Sequence, residues 1–107
     1  MPKDIQKQIQ AIAGKIAREY DPEKIILFGS QARGDSNYDS DVDLFIVKET
    51  PERRIDRARA VRQIIWGSGL PVDILVYTPQ EVDRELGLED FFIKNVTESG
   101  KVLYEKI

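Results

Sequence analysis

The stretch FGSQARGDSNYDSDVDLFIV, residues 28–47, places Gly29-Ser30 before Asp41 with ten residues between, and Asp43 close behind. A further acid, Asp73, interrupts the apolar run PVDILVY at residues 71–77. Side chains alternate between the faces of a strand, so Asp41 and Asp43 project together while Val42, Leu44 and Ile46 take the other face. Asp73 stands the same way against Val72, Ile74 and Val76. If the two strands pair with their starts together, three carboxylates meet on one small surface. Anions at that spacing repel, and a hard divalent cation such as Mg²⁺ resolves the repulsion while leaving places for phosphate and water. Gly29-Ser30 is the complement: a tight turn leading into a helical turn directs backbone N–H groups outward, where they can hold phosphate. The Ser30 hydroxyl adds a donor, and Arg33 could reach a phosphate oxygen from one turn on. Together these are the parts for phosphoryl or nucleotidyl transfer with two metal ions. The blander reading is that an Asp at a strand start is a turn residue, and for Asp41 alone it is preferred. It weakens for Asp43 and Asp73, which break β-branched runs where an unpaired charge is costly to bury.

The elements that must position these residues follow from periodicity. Ile5, Ile9, Ile12, Ile16 and Tyr20 form one stripe of a helix over residues 3–20, stopped by Asp21-Pro22-Glu23. Ile25–Phe28 reads as a short strand buried on both faces, and Gly29 ends it. Gln31-Ala32-Arg33 reads as about one helical turn closed by Gly34, with a loop at 35–40. After the strand Val42–Val47, Thr50 and Pro51 supply an expected N-cap and first helical residue, and Ile55, Ala58, Val61 and Ile65 an apolar stripe through 51–66. Gly67-Ser68-Gly69 breaks that helix ahead of the strand Pro71–Tyr77. Thr78 and Glu81 fit a capping box opening a helical region with Val82, Leu86, Phe92 and Val96, interrupted near Gly87. Val102-Leu103-Tyr104 suggests a short last strand. The expected fold is a single α/β (α+β) domain over residues 1–107, a small mixed sheet flanked by helices in the order α-β-α-β-α-β-α.

Composition narrows the chemistry. The 107 residues hold no cysteine and no histidine, which excludes disulfides, thiolate and imidazole metal sites, and Ser-His triads. A net charge of −3 argues against a general nucleic-acid binder without excluding a single nucleotide. The polar N-terminus lacks the apolar segment of a signal peptide, and no stretch approaches membrane-spanning length, so a cytoplasmic protein with no membrane partner is expected.

Gly29-Ser30, ten residues, then Asp41-Val42-Asp43 resembles the Gly-Ser-x10-Asp-x-Asp signature of the nucleotidyltransferase superfamily that includes DNA polymerase beta. The resemblance is closest to the minimal nucleotidyltransferases, several of which act as antitoxins beside HEPN-domain toxins, and "PVDILV" and "SGKVLYE" extend it along nearly the whole chain. It implies that Gly29 and Ser30 hold nucleotide phosphates, that Asp41 and Asp43 bind Mg²⁺, and that Asp73 is the third acid, holding a metal or taking the proton of the incoming hydroxyl. It implies transfer of AMP from ATP, the default donor, with release of pyrophosphate. Larger relatives append a helical domain for a small acceptor, and this chain ends at Ile107 without one. The acceptor is therefore expected on another chain or between subunits, so a hetero-oligomer or an oligomer is compatible with the sequence. The leading expectation is an antitoxin that AMPylates a tyrosine of a HEPN toxin. The rivals are a module that neutralises its partner by occlusion, and a nucleotidyltransferase that modifies a small molecule with a partner subunit.

Two further features have plain readings. Lys48, Arg53, Arg54, Arg57, Arg59 and Arg62 alternate with Glu49, Glu52 and Asp56, and a solvated face is preferred over a basic docking or steering surface. Trp66, Phe91 and Phe92 read as core or interface anchors rather than base-stacking groups.

Overall fold

The computed structural model describes residues 5–33 and 41–106; within these, the side chains of Ser30 and Arg33 are not described. Gly34 and the loop at 35–40 therefore lie outside the described residues. The element order is α1 (Ile5–Tyr20), β1 (Lys24–Phe28), α2 (Ser30–Arg33), β2 (Val42–Val47), α3 (Arg54–Ile64), β3 (Val72–Tyr77), α4 (Pro79–Gly87), α5 (Phe91–Ser99) and β4 (Lys101–Glu105). The expected alternation holds as far as α4, and the chain continues through a second helix into a closing strand.

The strands form one mixed sheet in the order β3-β2-β1-β4. β1 pairs antiparallel with both β2 and β4, while β2 and β3 run parallel with Asp43 opposite Asp73. The two acid-bearing strands thus pair with their starts together. Alternation sorts the rest. Ile25 and Leu27, Val42, Leu44 and Ile46, and Ile74 and Val76 pack under α1 and α3 with Ile9, Ile12, Ile16 and Val61. Ile26 and Phe45 face the opposite layer, against Ile93 and Val96 of α5, with Leu75, Tyr77 and Val82 alongside. β1 is buried on both faces, as its unbroken apolar run implies. Phe45 is fully buried at the centre of this second layer, so truncating it to alanine should cost about 3–5 kcal/mol.

Connections account for the remaining geometry. The capping box forms: Thr78 Oγ1 accepts from the Glu81 N–H at 3.1 Å and Glu81 Oε1 accepts from the Thr78 N–H at 2.9 Å. The interruption near Gly87 is a true break. Glu89 adopts φ 58°, and Asp90 caps α5 by accepting the Ile93 N–H at 2.9 Å. Gly100 lets α5 run directly into β4, because a Cβ there would press on Ile26 and on the Val96 carbonyl.

α3 departs from expectation in two ways. It begins at Arg54 with Arg53 as the extended cap residue, not at Pro51. Thr50 instead accepts the Glu52 N–H at 3.2 Å, a local turn that competes with helix. The helix then starts three residues later, and the expected stripe changes at its first turn: Val61 and Ile65 are buried and Ala58 packs against the same core, but Ile55 is exposed and Arg57 is buried. Arg57 is therefore not part of a solvated face. Trp66 and Phe91 are 87% and 88% exposed, which removes the core reading for both.

Candidate active site

The site is built on one rung of the sheet. Phe28 at the end of β1 lies opposite Asp43 near the start of β2, and Asp43 lies opposite Asp73 near the start of β3. Residues opposite one another share a face. All three therefore project on the side covered by α4 and α5, at its open end.

Asp43 is half-buried, whereas Asp41 and Asp73 are exposed. Burial, then the neighbouring charge of Asp73 and that of Asp41, push the Asp43 carboxyl above the usual aspartate range; when protonated it donates to Asp73. Asp41 sits just before β2 rather than on it. Among the described residues, no three acids gather tightly enough to enclose an ion. The close unit is the Asp43–Asp73 pair, with Asp41 near enough to act on it electrostatically.

Gly29 has φ 76°, and a Cβ at that position would overlap the Asp43 carboxylate. Glycine is needed here twice over: for the left-handed backbone, and for the acid that packs against its bare Cα. α2 follows at once, opening at Ser30, with the Ala32 N–H bonded to the Gly29 carbonyl at 3.1 Å. The signature turn and Asp43 are thus in contact in space, although ten residues separate Ser30 from Asp41 in the chain.

Three features escape a reading of the sequence alone. The Phe28 ring meets Phe92 of α5 edge-on, with centroids 5.5 Å apart, and this apolar wall on the rung beside Asp43 contributes to its desolvation. A hollow of about 140 Å³ adjoins Gly29, lined by Phe28, Ala32, Asn95, Ser99 and Gly100. Larger hollows of about 290 and 430 Å³ flank Trp66, and none of the three acids lines them. Asn95 and Ser99 stand four apart on one helix face, a spacing visible in the sequence, but nothing there shows that the face meets Gly29.

The donor set fits a hard cation. It is made of carboxyl groups alone, burial and the neighbouring acids raise the pKa of Asp43, and a cation would relieve that repulsion. Asp43 and Asp73, with Asp41 beside them, are the residues that would hold Mg²⁺.

Comparison with known proteins identifies the family. The profile of the nucleotidyltransferase domain family matches residues 9–103. Two Methanocaldococcus jannaschii proteins, each provisionally named a protein adenylyltransferase, are similar to the chain. One is 36% identical over 89 residues, a match spanning 77% of this chain and 58% of that protein. The other is 31% identical over 103 residues, spanning 95% of this chain and 96% of that protein. Among solved structures, a nucleotidyltransferase of provisional assignment from Sulfolobus solfataricus superposes with a TM-score of 0.65 at 26% identity, covering 94% of this chain and 79% of that one. A toxin–antitoxin structure with AMP-PNP shares the fold, with a TM-score of 0.58 at 20% identity over 91% of this chain and 73% of that one. A turn that needs glycine because an acid packs on it, and acids paired across parallel strands, thus sit where a family profile runs almost from end to end: the chain belongs to the nucleotidyltransferase domain family.

Proposed function

We propose that this protein is a Mg²⁺-dependent nucleotidyltransferase that moves AMP from ATP to a hydroxyl on a partner protein, in the manner of an antitoxin that AMPylates a HEPN toxin on tyrosine. The observation that carries the reading is that Asp43, paired across the sheet with Asp73, packs its carboxylate against the bare Cα of Gly29. The names of the two archaeal relatives support protein as the acceptor class, and the AMP-PNP-bound toxin–antitoxin neighbour supports ATP and the antitoxin setting. No helix among the described residues is long and apolar enough to cross a membrane, which is compatible with action in the cytoplasm.

In this reading the backbone at Gly29 and Ser30 binds the triphosphate; the side chain of Arg33, the expected phosphate contact, lies outside the described part of the structure. The hollow beside Gly29 is smaller than the roughly 300–1,000 Å³ usual for a whole ligand and suits one part of the nucleotide. Asp41, Asp43 and Asp73 would hold Mg²⁺, two ions by family resemblance, which would neutralise triphosphate charge and make the acceptor hydroxyl more acidic. The hydroxyl oxygen attacks the α-phosphorus, forming an O–P bond. The bond from that phosphorus to the α,β-bridging oxygen breaks, and pyrophosphate leaves with the electron pair. The hydroxyl proton passes to Asp73, the exposed member of the pair. Parallel reactions with α-³²P-ATP and γ-³²P-ATP, with the protein that co-purifies from the native host as acceptor, test the reading. Label on that protein from the α-position only supports AMP transfer; label from the γ-position, or from neither, refutes it. Label on small molecules alone would favour the metabolite reading.

A further inference from the structure

The break between α4 and α5 leaves large apolar side chains in solvent: Leu88 is 70% exposed and Phe91 88%, with Leu86 and Phe92 also exposed. This elbow lies level with the acids. α4 leaves the far end of β3 and runs back over nine residues, about 13 Å at the helical rise. The four steps from Tyr77 back to Asp73 cover about the same length of strand. Phe92 then touches Phe28, which shares its rung with Asp43 and Asp73, so the apolar surface is continuous with the candidate active site.

We propose that this elbow is the docking platform for the acceptor protein: Leu88, Phe91 and Phe92 receive an apolar segment flanked by basic residues, whose hydroxyl is thereby delivered to Asp73. The inference rests on the reading of the chain as a transferase to protein, and it names the surface and the partner's chemistry. The exposure argues for a protein segment, because small ligands are largely enclosed by their sites while exposed aromatic anchors, here Phe91, mark protein interfaces. Charge sets the sign: along residues 83–94, Asp83, Glu85, Glu89 and Asp90 stand against Arg84 and Lys94, and Arg84 is paired with Glu85 at 3.5 Å. The exposed Asp41 and Asp73 extend the same negative field. Trp66 does not share this position: its neighbours are basic and it belongs to the layer of α1 and α3.

The test uses two short fluorescent peptides, one of leucine and tyrosine flanked by lysines and its twin flanked by glutamates. Binding is followed by anisotropy and labelling by α-³²P-ATP with Mg²⁺. The variant combines Leu88→Ser with Phe91→Ser, and an unchanged melting temperature confirms that its fold is intact, since neither side chain is buried. The proposal expects the wild type to prefer the lysine peptide by tenfold or more, and the variant to lose about tenfold in affinity for it. No binding to the wild type, equal binding of the two peptides, or undiminished binding by the variant overturns the platform. A variant that only loses self-association, with peptide binding intact, makes the elbow an interface between copies and also overturns it. Elbow-dependent binding without labelling supports the platform while refuting the transfer reading. Labelling that survives unchanged in the variant does the reverse.

Discussion

Replacing Arg57 with methionine should be the most damaging single change at the far end of β3 from the acids. The Arg57 side chain is only 8% exposed. Its Nε donates to the Glu52 carbonyl at 2.6 Å, and Nη1 donates to the Val76 carbonyl at 3.2 Å. Nη1 and Nη2 also fork onto Glu81, at 2.8 and 3.4 Å. Glu81 in turn closes the cap of α4, so this guanidinium joins α3, β3 and α4. Methionine retains much of the apolar stem but none of the donors. Breaking a buried pair from one side costs about 3–5 kcal/mol, mostly as the penalty on the stranded partner. Glu81 keeps 22% exposure and a weaker contact with Arg54 at 3.8 Å, which places the loss at the lower end, about 3 kcal/mol. For a domain of this size that is a fall in melting temperature of about 12 °C or more. Thermal denaturation by circular dichroism, paired with urea titration, reads it. Adding Glu81→Met should recover much of the loss, because it removes the stranded charge. A fall below about 4 °C in the single variant would show a guanidinium already solvated and would refute the account of this corner.

Other outcomes follow from the site and its supports. Burial raises the Glu81 carboxyl, but the hydrogen bonds from Arg57 and the Thr78 N–H, with the charges of Arg57 and Arg54, outweigh it and hold it below the usual glutamate range. Its stabilisation is therefore present above the unfolded value near about 4.3 and lost as pH falls through the lower folded value, a loss that Glu81→Gln should flatten in acid melts. Asp43 has the opposite sign: with its folded pKa raised, the folded state holds the extra proton, so stability falls as pH climbs from about 3.9 through the raised value. Asp43→Asn should consequently melt higher than wild type at pH 7 while losing transfer activity, and a lower melting point would contradict the crowded-acid picture. Gly29→Ala should cost about 1–2 kcal/mol from its backbone conformation, and by displacing the Asp43 carboxylate it should cut pyrophosphate release about a hundredfold. Activity within a few-fold of wild type would show that the acid yields without consequence.

What was legible in the sequence was whatever a local period or a local motif could state. The inward faces of β2 and β3 followed from alternation, the burial of β1 on both faces from its unbroken apolar run, and the start of α4 from Thr78 and Glu81, while the meeting of Asp43 with Asp73 followed only on the condition that their strands pair start to start, which they do. The start of α3 was not legible. Thr50-Pro51 satisfies the usual helix-opening pattern, but the Thr50 side chain closes a turn on Glu52 instead, and the delay turned Ile55 outward and Arg57 inward. No periodicity rule buries an arginine, because its tolerance there depends on Glu81, 24 residues away. The same limit applied at the site. Phe28 beside Asp43 depends on the register in which β1 pairs with β2, and Phe92 against Phe28 on how α5 crosses the sheet. Gly29 stood out as a turn residue, yet its second reason for being glycine, the acid packed against it, is tertiary.

The central claim is that this chain transfers a nucleotide to a partner through Asp43, and the intact mass of the partner tests it most directly. The protein that co-purifies from the native host would be isolated after co-expression with wild type or with Asp43→Asn. The account predicts a partner heavier by whole AMP units with wild type and unshifted with the variant. An unshifted partner in both, or an equal shift in both, would contradict it.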